Sequence, residues 1–312
     1  MKKLNSNLQA LYTDLQQIVA PGSLLCNEPL AAHTTFKIGG PADIFVTPQT
    51  MSQLSQVMAA IHQADVPLTV LGSGSNVLVL DGGIRGVVLS LSDMRETMAA
   101  IDGVMTVSAG YMLKDASEFA YAAGLTGMEF AIGIPGTLGG AVFMNAGAYG
   151  GEMCQVVSKV RAVDMSGHVS EYTSDELAFA YRHSRFHESH EIIGEVDIRL
   201  KEGDKDEILA LMEDLTERRQ SKQPLEYASA GSTFKRPPGY FAGTLIEQTG
   251  LKGLAVGDAE VSQKHAGFVI NKGQASAKDV LNLIHSVQAR VAEAHGVNLE
   301  TEVRIIGEDA QN

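Results

Sequence analysis

AIGIPGTLGGAVFMNAGAYGGE, residues 131–152, holds seven glycines between Gly133 and Gly151 and no charge before Glu152. A second glycine-rich stretch, LGSGSNVLVL, spans Leu71 to Leu80. Glycine lets a backbone approach another group closely or take φ > 0, and the clustered N–H groups of such loops cradle anionic phosphate. Two loops of this kind predict one long pyrophosphate cofactor. A Rossmann fingerprint does not fit the shorter stretch, because Gly72-Ser73-Gly74-Ser75-Asn76-Val77 lacks the third glycine and runs directly into the apolar Val77 to Leu80. The pattern reads as strand, turn, strand, with no helix N-terminus aimed at phosphate. Taken alone, Gly72 and Gly74 fit a tight hairpin equally well.

The longer stretch changes the balance. Between Glu129 and Glu152 lie twenty-two uncharged residues, enough in length for a membrane span. Pro135, Asn145 and the glycines argue against one, since so flexible a helix would form poorly and expose its backbone to lipid. A buried, glycine-rich ligand wall is the better reading.

The chain has 312 residues, beyond the usual size of a single core, so two or three domains are expected. Apolar residues at 45% and charged residues at 20% describe an ordinary globular protein. A formal net charge of −13 argues against nucleic-acid or anionic-membrane partners, which need a positive field. An anionic ligand must then be held by local cations and N–H groups. After the charged Met1-Lys2-Lys3, Leu4 to Ala20 is interleaved with Asn, Gln and Asp and has no continuous signal-peptide core, so a cytoplasmic location is expected. Cys26 and Cys154, without CxxC spacing or a nearby histidine cluster, read as reduced, buried thiols, and no metal site is expected.

Leu4, Leu8, Leu11, Leu15 and Ile18 recur at helical spacing before Pro21-Gly22. Thr50 to Gln53 forms a T-x-x-Q capping box ahead of a helix that aligns Leu54, Val57, Met58 and Ile61. Short strands follow at Leu68–Leu71, Val77–Leu80 and Val87–Leu91, then at Val104–Ala109, Val156–Val163, His168–Tyr172 and Ile192–Leu200, with a helix closed by Gly124 among them. A further helix carries Ile208, Leu211, Met212 and Leu215, and its tail, ERRQSKQPLE, is the best linker candidate because Pro224 and the charge density stop a helix. Beyond it come a helix at Gly243–Thr249, strands around Ala266–Ile270, a long helix between Ser276 and Gly296, and a last strand near Glu302–Ile306. The boundaries expected are 1–92, 93–222 and 223–312.

Three polar segments place reactive groups beside glycine or a cation. In Tyr181-Arg182-His183-Ser184-Arg185-Phe186, two arginines and a histidine suit a carboxylate or pyrophosphate, although a solvated loop would look the same. In Ser229 to Pro238, SAGSTFKRPP, a hydroxyl follows flexible Gly231 and precedes two cations; it could protonate a carbanion-like centre, or the segment could be a simple turn. In Leu299 to Ile306, LETEVRII, a strand would put Glu300, Glu302 and Arg304 on one face, as an ordinary edge strand also would.

Taken in order, from about His33 to Gly307, these segments resemble the UDP-N-acetylenolpyruvoylglucosamine reductases, flavoenzymes of peptidoglycan precursor synthesis. LGSGSNVLV and GIPGTLGGAVFMNAGAYGGE look like the two FAD-binding loops of that family, YRHSRF its arginine segment, AGSTFKRP its serine segment and LETEVRIIG its glutamate segment. The resemblance implies an α+β protein, with an FAD-binding fold of the vanillyl-alcohol oxidase type in two α/β subdomains and a third α+β domain for substrate. It implies noncovalent FAD contacts from Gly72, Ser73, Gly74, Ser75, Asn76, Ile134, Pro135, Gly136, Thr137, Gly139, Gly140, Asn145 and Gly147, and NADPH as hydride donor. Arg182, Ser232 and Glu302 match the catalytic positions, and Tyr149, Lys235, Arg236 and Arg304 are implied as contacts for the UDP-sugar enolpyruvyl substrate. The short spacing between YRHSRF and the linker resembles the family's shorter class, which lacks a tyrosine-bearing lid.

Overall fold

The computed structural model describes residues 4–310, so the charged start Met1-Lys2-Lys3 lies outside the described residues. By its contacts the chain forms two compact units. Residues up to 27, 43–73 and 86–219 form one, and 28–42, 74–85 and 220 onward form the other. The boundary between 73 and 74 falls inside the shorter glycine loop.

The first unit is built on a five-stranded antiparallel sheet in the order Val169–Thr173, Val157–Val163, Ile192–Arg199, Val104–Ser108, Met98–Ile101. Val107, Val160, Val196 and Ile198 are fully buried in its core, as the apolar runs require. The helix Met51–Ala64 adds Leu54, Val57, Met58 and Ile61 to the same core. Thr50 caps it by accepting from the Gln53 N–H, but the Gln53 side chain accepts from Gln49 N–H at 2.8 Å, one residue before the cap that a reciprocal box would use. Leu68–Leu71 runs parallel to Ile84–Ser90 in a separate four-stranded sheet.

That pairing corrects the hairpin reading of the shorter loop. Val77–Val79 does not turn back on Leu68–Leu71; it pairs in parallel with Arg304–Ile306, so the loop connects two different sheets. The helix Lys205–Lys222 also corrects the linker reading, because it runs through most of ERRQSKQPLE and ends only just before Pro224. Ile208, Met212 and Leu215, at helical spacing, hold it to the unit, and Pro224 stops it as expected.

The second unit carries a four-stranded antiparallel sheet in the order Ala228–Ser229, Val269–Asn271, Ala259–Val261, Ala255–Val256. Against its core lies the helix Ala277–His295, with Val280, Leu283, Ile284, Val287 and Val291 inward. Ser276 and Asp279 form a reciprocal capping box, and Gly296, at φ 67°, closes the other end. Asp81 accepts from the Ala277 and Lys278 N–H groups at 2.8 and 3.1 Å, a second cap on the same terminus. The final strand is shorter than the sequence pattern predicts: it covers Arg304–Ile306, leaving Glu302 outside it.

Among the described residues no helix is long and apolar enough to cross a membrane. Neither do any three of their His, Cys, Asp or Glu side chains cluster as a metal site requires. Both cysteines are free thiols, but neither is buried: Cys26 is half-buried, and Cys154 is exposed because it sits in the short turn Met153–Gln155 at the end of the glycine loop.

Candidate active site

In the first unit the longer glycine loop is a sequence of small devices. Thr137 begins the helix Leu138–Phe143 and accepts from the Gly140 N–H. Gly139 lies so near Ala109 that a Cβ would come within 2.8 Å of the alanine methyl. Gly136 accepts from the Leu113 N–H at 2.9 Å. Ile134 and Pro135 form the run-in to this turn, with Pro135 exposed. Gly147–Ala148 and Gly151–Glu152 then form a hairpin whose two turn residues, Tyr149 and Gly150, have φ 54° and 89°. Positive φ at both positions is the type I′ arrangement that suits a twisted two-residue hairpin. It leaves Tyr149 exposed at the tip.

The two glycine stretches approach each other here. A Cβ at Gly72 would sit 2.5 Å from Thr137 Oγ1. Beside it, Ser73 Oγ is buried and finds no hydrogen-bond partner among the described residues. An orphaned hydroxyl costs about 1–3 kcal/mol unless a ligand or water pairs with it, which is the pattern of a prepared polar cradle.

Asn145 ties the glycine loop to the arginine segment. It is buried at φ 42°; its Nδ2 donates to Ala180 O at 3.1 Å and Glu152 Oε2 at 2.9 Å, and its Oδ1 accepts from Cys154 N–H at 2.9 Å. Ala180 and His183 exchange two backbone hydrogen bonds of 3.1 Å, which puts Tyr181 and Arg182 at the corner of a tight turn. Arg182 has φ 55°, a position more often filled by glycine or asparagine. Ser184 secures the far side through Oγ to Phe143 O at 2.7 Å. The two arginines of the segment separate in role. Arg185 stacks 3.6 Å over the Tyr172 ring and donates to Glu176 O, so it belongs to the scaffold, while Arg182 is carried on the turn with its guanidinium 5.3 Å from the Tyr181 ring.

The sequence pattern misses one further cation. Arg219, on the helix Lys205–Lys222, lies so close to the longer loop that a Cβ at Gly133 would fall 2.7 Å from its Cδ. Burial pushes its guanidinium pKa down, while the nearby Tyr149 phenol pushes it back up. No side-chain hydrogen bond or ion pair engages Arg219 among the described residues. The signal was present in the helical phase, since Arg219 follows buried Met212 and Leu215 at seven and four residues, but a charge-dense tail read as linker hides it.

The second unit stitches the remaining segments together through the backbone. Thr35 Oγ1 donates to Ser229 O at 2.7 Å and the Thr35 N–H to Gly74 O at 3.2 Å, linking the shorter glycine loop to the serine segment. Asn76 grips the glutamate segment twice: its Nδ2 donates to Glu302 O at 3.3 Å and its carbonyl accepts from Arg304 N–H at 3.0 Å. Ser75, between Gly74 and Asn76, is half-buried. The serine and glutamate segments pair directly. Lys235 N–H donates to Glu300 O at 2.9 Å, Glu302 N–H to Thr233 O at 2.8 Å, and Phe234 bridges Thr301. Ser232 is exposed, beside Gly231 at φ 74°.

The expectation that Glu300, Glu302 and Arg304 share one strand face is corrected by the same contacts. Pairing with Phe234 at Thr301 and with Val77 at Arg304 uses two different partners, and the chain bends between them at Val303. Glu300 is taken by Lys235 at 3.2 Å in an exposed ion pair. Arg236 lies over the Phe241 ring at 4.0 Å and is exposed, as is Arg304.

A fold with this glycine cradle defines a class before it defines a protein. Residues 42–173 match the family described as FAD binding domain, which makes the chain a flavin oxidoreductase. Residues 223–306 match the family described as UDP-N-acetylenolpyruvoylglucosamine reductase, C-terminal domain. The UDP-N-acetylenolpyruvoylglucosamine reductase of Clostridioides difficile is 48% identical over 97% of this chain and 100% of its own. The reductase of the same name from Caldanaerobacter subterraneus subsp. tengcongensis is 48% identical over 96% of this chain and 99% of its own. The crystal structure of UDP-N-acetylenolpyruvylglucosamine reductase (MurB) from Thermus caldophilus superposes with a TM-score of 0.77 at 40% identity, covering 90% of this chain and 97% of that one. The chain belongs to the UDP-N-acetylenolpyruvoylglucosamine reductase family.

Proposed function

We propose that this protein reduces the enolpyruvyl group of UDP-N-acetylenolpyruvoylglucosamine to give UDP-N-acetylmuramate, using noncovalent FAD and NADPH, as a cytoplasmic step of peptidoglycan precursor synthesis. The observation that supports the reading is the direct backbone bond from Glu302 to Thr233, which puts the glutamate segment against the residue that follows Ser232. The residues of the glycine cradle fit a flavin nucleotide: Ser73 offers a buried hydroxyl in need of a partner, and Gly72 and Gly139 make approaches a side chain would block. Gly72 to Asn76, with Ile134 to Thr137, Gly139, Gly140, Asn145 and Gly147, would hold it. When bound, FAD supplies the two-electron relay between NADPH and C3 of the enolpyruvyl group.

The chain's own residues do the rest. Ser232 delivers the proton to C2, its weak intrinsic acidity offset by nearby cations. Arg182 and Glu302 polarise the substrate carboxylate on which negative charge grows, the guanidinium being suited to bidentate contact. Tyr149, Lys235, Arg236 and Arg304 contact the remainder of the substrate, and Arg219 joins them as an anion-binding residue. The division into two flavin subdomains and a substrate domain, with boundaries near 92 and 222, belongs to the same proposal.

The test is to purify the protein, measure bound FAD, and follow NADPH oxidation with and without the enolpyruvyl sugar nucleotide. Substrate-dependent oxidation is the expected result; oxidation indifferent to the substrate overturns the assignment. In Ser232→Ala, flavin reduction by NADPH should stay near the parent rate while reoxidation by substrate slows by about 10²- to 10⁴-fold. Equal slowing of both halves would assign Ser232 a structural role instead.

A further inference from the structure

Thr233, next to the proposed proton donor, spends all its polar groups on neighbours. It is 2% exposed; its N–H donates to Gly267 O at 2.9 Å, its Oγ1 accepts from Val269 N–H at 3.0 Å, and its carbonyl accepts from Glu302 N–H at 2.8 Å. The Thr233 N–H belongs to the same peptide plane as the Ser232 carbonyl, so the bond to Gly267 fixes the backbone on which the Ser232 hydroxyl is mounted. The orientation of that plane depends on the Gly267 carbonyl. Glycine is the residue least able to hold a carbonyl in place by itself.

His265 supplies the missing constraint from both sides. Its Nδ1 accepts from the Gly267 N–H at 3.1 Å, which fixes the peptide before Gly267. Its backbone carbonyl accepts from Phe268 N–H at 3.0 Å, which fixes the peptide after it, the one that carries the Gly267 carbonyl. The ring is itself wedged. A Cβ would lie 3.0 Å from its Cε1 at Gly267 and 3.3 Å at Gly243, and Phe268 meets it edge-on at 5.0 Å between centroids. The Ser262 hydroxyl accepts from the Lys264 and His265 N–H groups at 3.1 and 3.3 Å and holds the start of the turn. Burial is the main influence on the imidazole pKa and lowers it; Lys252 also lowers it, and the backbone hydrogen bond and Glu247 oppose. A neutral ring keeps the Nδ1 lone pair available.

We infer that His265 is a positioning residue for the half of the reaction in which substrate reoxidises the flavin, holding the Gly267 carbonyl on Thr233 and thereby setting both Ser232 and Glu302. This rests on the proposed roles of those two residues. Because it acts through the backbone, a substitution at His265 should move the proton donor without touching flavin binding, and a displacement of about 1 Å at a reacting group can cost about 10²-fold in rate.

The experiment compares His265→Phe, which keeps a ring but has no acceptor, with His265→Asn, which returns an acceptor as Oδ1. Stopped-flow reoxidation of the reduced flavin by the enolpyruvyl substrate should slow by about 10- to 100-fold in His265→Phe and largely recover in His265→Asn, while reduction by NADPH stays within about twofold of the parent. Amide hydrogen exchange at Thr233 and Glu302 should quicken by about tenfold in the phenylalanine variant and return in the asparagine variant. His265→Leu provides a second acceptor-free variant should the phenylalanine protein not fold. Unchanged reoxidation and unchanged protection at these two amides overturn the inference, as does loss of protection spread evenly through the second unit. If the parent itself fails to use the enolpyruvyl substrate, the functional assignment falls, and the exchange measurement still decides whether His265 holds Thr233.

Discussion

Glu302 donates its backbone N–H to the carbonyl of Thr233 at 2.8 Å, and Asn76 donates to the carbonyl of the same glutamate at 3.3 Å. The peptide groups on both sides of Glu302 are therefore held, one by the serine segment and one by the glycine loop. Glu300, two residues earlier, has its side chain in an exposed pair with Lys235. The two glutamates should respond differently to the same change. Glu302→Gln keeps the shape and a hydrogen-bond donor but cannot exchange a proton, so single-turnover oxidation of reduced flavin should slow by about 10²-fold or more. Glu300→Gln removes a surface pair worth about 0–1 kcal/mol and should leave that rate within about twofold. The reverse ranking would show that the segment's catalytic position has been misplaced.

Gly72 tests the cradle. An added methyl would strike Thr137 Oγ1, and turning that hydroxyl away sacrifices the cap on the helix Leu138–Phe143, at a cost of about 1 kcal/mol. Gly72→Ala should fold, with a slightly lower melting temperature, and should retain less FAD through purification. Equilibrium titration of the apoprotein with FAD measures the loss; parental affinity would remove Gly72 from the cofactor wall.

Arg219 offers a positive charge that no side chain in the described structure neutralises. Arg219→Gln should weaken binding of the anion it serves by about tenfold, equivalent to about 1.4 kcal/mol. Measuring the FAD dissociation constant and the KM for the sugar nucleotide in one variant separates the two phosphate-bearing ligands. We expect the sugar nucleotide to be the one affected, given the neighbouring Tyr149 at the hairpin tip. No change in either would make Arg219 a packing residue for Gly133.

His265 should also leave a mark on stability against pH. Its folded-state pKa lies below the ordinary value of 6.5, chiefly through burial, so between the two values the unfolded chain binds more protons than the folded one. The stabilisation is fully present above about pH 6.5 and is lost as pH falls through the folded-state pKa. The melting temperature of the parent should therefore decline between about pH 7 and 5 more steeply than that of His265→Asn, which has no such titration. Parallel curves would show that the imidazole titrates alike in both states.

Where neighbours along the chain decide the outcome, the amino-acid order alone was enough. The Ser276 and Gly296 ends of the long helix, the buried stripe from Val280 to Val291 and the glycine-rich character of 131–152 all follow from side-chain spacing and backbone freedom within a few residues. The arginine, serine and glutamate segments were visible as well, as groups of reactive residues. What they touch was not. Leu68–Leu71 and Val77–Leu80 fit the arms of a hairpin as well as the flanks of a ligand loop, yet the first pairs with Ile84–Ser90 and the second with Arg304–Ile306, because a strand's hydrogen-bonding edges accept any segment the fold delivers. Arg182 and Arg185 are alike in sequence and were separated only by the turn at φ 55° and by the Tyr172 ring. Arg219 reads in the sequence as part of a linker, whereas the helix carries its side chain onto Gly133. Local propensity acts over one or two turns of chain, whereas desolvation and the pairing of polar groups depend on which distant atoms arrive, and only the tertiary structure decides that.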